Sequence, residues 1–543
     1  MLKKFNLKNP EQVFQDFTNW FDTRRKLAFF TTFIICLIIH FKTYFLGLTN
    51  FDGTTNFVYY FDYDWELSLG RWGLLIIDTL RYFLIFPFIS TIISFIFISF
   101  ASIILVDLLD IKSPFFIFLV SICLPISPAY SSILMFFYCS DSYGLSIFLA
   151  ISAVKYIYSR NHNKKKSFIL GILCTTFSIS LYQEYLSIIT TLCVIIPILN
   201  ILKNKKIIKD IFKDILYSIL IAILGVALYY TITVILLNVF NIEFTSYFGA
   251  KDISILNNLK ASLSVLPKMY ISFYEYHFSN TIIENSYWKR GYLNTFLFLM
   301  MFISVFLIMH NKKISKSRIT FALVLIMILP IAINFTNLVA PELDLSSMYV
   351  RLTIPTILII SFLLAIIQLL PNLNFQNIIK WCSLICCIII LFTYILSNIL
   401  IYNLMENIFN QYYSVIIRML DRIETNKNYT KDMKILIVGI IDDNNLFKIP
   451  PYSIFADNYT YCFYSLNLFL EGYHEIPHTF GNFIHKYCGQ NLNFLYDEKT
   501  YTEIIESNEF KEMGIFPEQD AVKVINNVMV VKLTNTPLVL DIE

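Results

Sequence analysis

Residues 48–74, LTNFDGTTNFVYYFDYDWELSLGRWGL, gather four carboxylates (Asp52, Asp62, Asp64 and Glu66) and Arg71 among aromatic rings. A positioned carboxylate can take a proton from an attacking hydroxyl. An arginine holds a phosphate oxyanion through planar, bidentate hydrogen bonds. Further isolated polar groups follow at Asp141, Gln183, Glu184, Glu243, Asp252, Glu342, Asp344 and Arg351. Each has a plain structural alternative. Asp52-Gly53 is also a turn signal, and Asp141 is placed to cap the helix that follows it. Arg71 and Arg351 equally suit a membrane boundary. Gln183 and Glu184 could simply satisfy each other at a helix end.

The elements that must position these residues are apolar. The chain has 543 residues, of which 57% are hydrophobic and 15% charged, with a mean hydropathy of +0.62. That composition lies outside the soluble globular range. Runs long enough to cross a bilayer lie near 27–48, 87–106, 114–136, 144–158, 167–183, 186–202, 215–238, 293–310, 318–338, 352–370 and 381–402. They predict an all-α polytopic membrane protein with about eleven transmembrane helices. The first run is too long for a cleaved signal peptide, and no small-residue cleavage site follows it.

Cationic residues cluster at Arg24-Arg25-Lys26, at Arg160 with Lys164-Lys165-Lys166, at 203–213 and at 312–318. Counting the crossings between them puts every cluster on one side, which the positive-inside rule assigns to the cytoplasm. Segments 47–86, 137–143, 183–186, 239–292 and 339–351 then face outward, and these hold the isolated acids. Chemistry is therefore expected at the outer face. Residues 71–83 and 259–278 read as amphipathic stretches along that interface, with Arg71 and Arg81 near headgroup phosphates and Trp72 in the aromatic belt.

Three regions follow from this pattern. Residues 1–26 form a cytoplasmic N-terminal amphipathic segment, with Val13, Phe14, Phe17 and Phe21 on one helical face. Residues 27–402 form the transmembrane domain. Residues 403–543 form a small extracytoplasmic α/β domain, helical over 403–425, with strand-like runs at 433–440 and 521–533.

Several function classes are disfavoured. No basic tract interleaved with stacking aromatics points to nucleic acid. There is no P-loop or Rossmann glycine signature, and no cysteine pair has zinc-ligand spacing near histidine. Cys462 and Cys488 could pair in an oxidising compartment. A transporter would place ionisable residues near the bilayer midplane, where these runs are Ile, Leu, Phe and Val.

The order of NFDGTTNF with SLGRWG, then CSDSYGLSIFLA, SISLYQEYLS and MYVRLTIP, resembles the bacterial O-antigen glucosyltransferases (type II Gtr proteins) of the GT-C superfamily. The resemblance spans residues 27–400. It implies a GT-C-like catalytic domain in the bacterial cytoplasmic membrane, with the N-terminus cytoplasmic and the C-terminus extracytoplasmic. The implied partners are a polyprenyl-phosphate-linked sugar donor, a surface glycan acceptor and membrane lipids. No cofactor is implied.

The family pattern makes Asp52 the general base, because it matches the essential first-loop acid. Asp141 becomes a second acid that positions the acceptor or orients the base. Asp62 or Asp64 could replace Asp52 as base. Their D-x-D spacing resembles a metal site, but a lipid monophosphate donor does not require one, so no metal is expected. Arg71 and Arg351 are the candidates for the donor phosphate, and Gln183 and Glu184 for the sugar. One displacement would invert the anomeric centre. The competing readings are an O-antigen polymerase or ligase, and a lipid-linked sugar flippase or polysaccharide exporter.

Overall fold

The computed structural model describes residues 9–56, 60, 62–158, 164–204, 206–245, 258–278, 290–339, 348–371, 374–439, 441 and 475–534. Helix dominates, and each apolar run contains one. The described residues do not show the full expected count of about eleven spans. Among the described residues, six helices are long and apolar enough to cross a membrane: Pro87–Leu109, Gln183–Lys203, Ile208–Phe240, Gly291–Asn311, Lys316–Ile333 and Gln376–Glu424. The bent pair Pro114–Cys123 with Pro128–Leu134 is either a broken span, which would make seven, or a re-entrant loop. The other helices fall short for visible reasons. Thr23–Ile39 has 17 residues and starts on three cations. Lys164–Leu181 begins with three lysines, and Ser140–Tyr158 carries Asp141 and Lys155.

The bundle turns apolar side chains outward. On Ile208–Phe240, Leu216, Ile219, Ile223, Ile235 and Val239 are exposed. In water such a surface would be costly, whereas lipid chains cover it. The bent pair breaks at Pro125–Ser127, which leaves carbonyls without helical partners. Buried polar side chains take them up: His40 Nε2 lies 2.8 Å from the Pro125 carbonyl, and Asn398 Nδ2 donates to Ile126 at 2.7 Å. This is how non-helical backbone is tolerated at membrane depth.

Charge is sorted between the two ends of the bundle. At the C-terminal end of Pro87–Leu109, Arg24 and Arg25 pair with Asp107. Lys203 reaches Asp110 there at 3.3 Å. Lys312 donates to Leu202, and Arg318 to Lys206, joining the same end. The N-terminal end of that 23-residue helix lies roughly 35 Å away at 1.5 Å per residue, and its Ser90 meets Arg81. The acid-rich segments collect at this opposite end.

The longest helix, Asn374–Glu424, runs 51 residues without a break. At 1.5 Å per residue it is roughly 75 Å long, more than twice the ~30 Å hydrocarbon core. Its second half leaves the bundle and seats a small α/β extension. Ile408, Val415, Met419 and Ile423 pack there with Ile435, Phe483 and Met529. The three strands are β1 (Lys434–Val438), β2 (Val522–Ile525) and β3 (Val528–Lys532). Their order is β1-β3-β2, with β1 parallel and β2 antiparallel to β3. The run 521–533 is thus a hairpin. Asn526 and Asn527 both have positive φ, 48° and 61°, as a two-residue turn of matching twist requires. Cys488 is a free thiol, and Cys462 lies outside the described residues.

Candidate active site

The first acid sits on a short helix, Phe51–Thr55. Asn50 serves it twice, its Oδ1 accepting the Gly53 N–H at 3.2 Å and its Nδ2 donating to Asp52 Oδ2 at 3.3 Å. Gly53 is required by close approach, not by a turn. A Cβ there would lie 1.8 Å from Thr49 Oγ1 and 2.9 Å from the Phe137 ring. Burial pushes the Asp52 carboxyl up to about 6, while the Asn50 hydrogen bond and the Arg71 charge pull it back down. A carboxylate tuned near the working pH is the kind that proton transfer favours.

Arg71 stands at the next turn. The Arg71 N–H donates to the Glu66 carbonyl and the Gly70 N–H to Leu67, both at 2.8 Å. Gln183 Nε2 locks the turn from another helix, donating to the Leu69 carbonyl at 2.7 Å and to Tyr229 Oη at 3.0 Å. The guanidinium lies 5.3 Å over the Tyr182 ring. Gly70 has φ +75°, a conformation that costs other L-residues about 1–2 kcal/mol. A Cβ at Gly70 would also sit 2.4 Å from Tyr229 Oη. Gly70→Ala is therefore expected to lower the melting temperature in detergent and reduce activity with it, because Arg71 is the next residue. An unchanged melting curve would contradict this packing.

Two acids to which sequence reasoning assigned no role are buried beside these groups. Glu66 accepts a hydrogen bond from the Tyr60 hydroxyl. Burial raises its carboxyl to about 7, with Arg71 opposing and Asp78 and Asp62 adding to the rise. Asp78 forms an ion pair with Arg81, which also bonds Asp141 at 3.0 Å. Arg81 therefore does not face headgroups, as the sequence suggested. Trp72 is likewise buried, 5.7 Å from Phe177, instead of lying in an aromatic belt. Asp78 and Arg81 stand three residues apart on a helix, the spacing of an ion pair, and that was the available signal. Nothing local marks Glu66 off from Asp62 and Asp64, which are exposed.

The structure thus joins Asp52, Arg71, Glu66, Asp78, Arg81 and Asp141 into one electrostatic neighbourhood. Glu184, next to Gln183, accepts from Thr336 at 2.9 Å. Arg351 lies on Met348–Leu369, but its side chain is outside the described residues. Glu66 Oε2, Arg71 Nε, Trp72 Nε1 and Tyr185 Oη are buried without a hydrogen-bond partner among the described residues. Such atoms are costly unless satisfied. Their concentration marks a place where a polar ligand would be held.

A bundle of membrane-length helices with a buried acid–arginine cluster at one end defines a polytopic membrane protein built for chemistry at its edge. A family model described as glucosyl transferase GtrII matches residues 44–354, and the chain belongs to that family. The match covers more than half of the sequence and includes Asp52, Arg71, Asp141, Gln183, Glu184 and Arg351. The resemblance to bacterial O-antigen glucosyltransferases is borne out, and the protein is a membrane-associated enzyme of the glycosyltransferase type. Neither a curated protein nor a solved structure gives a match.

Proposed function

We propose that the protein moves glucose or a similar hexose from a polyprenyl-phosphate donor to a surface glycan, at the outer face of the bacterial cytoplasmic membrane. The observation that carries this reading is the buried Asp52 carboxyl, held by Asn50 and felt by the charge of Arg71. A carboxylate raised to about 6 lies within the field of an arginine whose Nε is buried and has no hydrogen-bond partner among the described residues. In the reaction, an acceptor hydroxyl oxygen attacks the anomeric carbon and gives its proton to Asp52. The bond from that carbon to the phosphate oxygen breaks, and the lipid phosphate leaves with the electron pair. Arg71 stabilises the leaving charge, with Arg351 as a second phosphate candidate. Electrostatic help of this kind is a major catalytic contribution. A single displacement inverts the anomeric centre.

Gln183 serves this site through the Leu69 carbonyl, and Glu184 is proposed to meet the sugar. Asp141 orients the acceptor side through Arg81, and Asp62 and Asp64 are the alternative bases. Cations gathered at one end of the bundle and acids at the other support an orientation with the N-terminus cytoplasmic and the C-terminal domain outside.

The reaction needs Asp52 ionised. Activity is therefore expected to rise as pH increases through about 6 and to level off above it. Arg71→Gln removes a charge that lowers the Asp52 pKa, so its acidic limb moves to higher pH. A pH–rate profile flat between pH 5 and 8 would contradict the assignment. The function itself is tested by mass analysis of surface glycan from cells with and without the protein. Loss of one hexose per repeat at unchanged chain length is expected. Shortened chains would indicate a polymerase, and an unchanged glycan would exclude both.

A further inference from the structure

The C-terminal α/β extension lies beyond the family match, which ends at residue 354. It nevertheless reaches the helix that carries Asp52. Helix Glu475–Phe483 packs against Phe51–Thr55, and the following turn, Ile484–Cys488, carries Lys486 to the same place. Lys486 Nζ donates to the Gly53 carbonyl at 3.3 Å. The same ammonium lies 4.7 Å from the Phe137 ring centroid and 4.8 Å from that of Tyr487. Phe137, together with Thr49, leaves no room for a side chain at Gly53. One cation thus grips the peptide next to Asp52 and the ring it rests on. Burial lowers the Lys486 pKa to about 7, so this placement is costly. A purely adhesive contact between two elements is better made by an apolar side chain.

We propose that Lys486 is a positioning residue for Asp52: by holding the Gly53 carbonyl against Phe137, it sets the direction of the Asp52 carboxylate and makes the C-terminal domain part of the transfer site. The proposal rests on the reading of Asp52 as the base. It gives a role to the contact between the C-terminal extension and the helix Phe51–Thr55. Misplacement of a reacting group by about 1 Å can cost on the order of 10²-fold in rate.

The test uses the full chain in detergent, with polyprenyl-phosphate-linked glucose as donor and surface glycan from cells lacking the protein as acceptor. Lys486→Met is expected to lower kcat by roughly 10–100-fold, with the donor KM within about twofold. Lys486→Arg, which keeps the cation and the donor, restores most of the rate. On an Asp52→Asn background, Lys486→Met adds no further loss, since it acts through Asp52. If Lys486→Met fails to fold, Lys486→Gln, which keeps an N–H donor, replaces it with a smaller loss expected. A wild-type kcat in the folded variant, a change confined to KM, or a full additional loss on the Asp52→Asn background each overturns the proposal. An inactive Asp52→Asn beside a fully active Lys486→Met overturns this inference alone. A fully active Asp52→Asn overturns the base assignment with it.

Discussion

Asp52→Asn leaves a folded protein that transfers sugar roughly 10²–10⁴-fold more slowly. Asparagine keeps the side-chain shape and an oxygen that can accept from Asn50, so the Phe51–Thr55 helix has no reason to unravel. Only the capacity to take a proton is lost. The same variant is expected to melt at a higher temperature at neutral pH. Burial raises the Asp52 pKa from 3.8 to about 6 in the folded protein. Stability linked to this group is thus fully present below the unfolded value and is lost as pH rises through about 6. Asparagine removes that loss, so activity falls while stability rises. Transfer assays and thermal unfolding of the same preparation check both halves. A slow enzyme that also melts earlier would point to damage instead of a missing base.

Arg81→Met is expected to have the largest effect on stability. Asp78 and Asp141 are buried, and Arg81 is the cation between them. Even with Arg81 present, burial holds the Asp78 carboxyl near 6. Removing one partner of a buried ion pair costs about 3–5 kcal/mol, because the remaining charge is left without compensation. The folded protein is therefore recovered poorly at neutral pH, and better at acidic pH, where the acids can hold protons. The triple variant Arg81→Met with Asp78→Asn and Asp141→Asn should regain much of the loss, since no charge is then stranded. Thermal unfolding in detergent across pH 5–8 measures this. If the single variant melts like the parent at pH 7.5, the cluster does not stabilise the bundle.

What the residues disclosed in sequence and what they withheld follow a physical line. Apolar runs and cation clusters are local patterns, and they located the helices and sorted the ends. The span count was less legible, because length alone does not separate a crossing helix from a shorter one flanked by charge, as at Thr23–Ile39. Asp52 stood out through its resemblance to the family's first-loop acid, and Arg71 as the cation of the same stretch. Glu66 did not, since it differs from Asp62 and Asp64 only in being buried. Gln183, assigned to the sugar in sequence, also holds the Leu69 carbonyl across 114 positions, which no short window discloses. Lys486 reaches Gly53 across 433 positions. Contacts that depend on how distant helices come together leave no mark in any short window.

The most direct measurement of the central claim is transfer by purified protein reconstituted with polyprenyl-phosphate-linked glucose and acceptor glycan, with the anomeric configuration of the product read by NMR. The account predicts a product of inverted configuration, formed without any nucleotide sugar and lost in Asp52→Asn. A product of retained configuration, a demand for nucleotide-linked donor, or undiminished transfer by Asp52→Asn would contradict it.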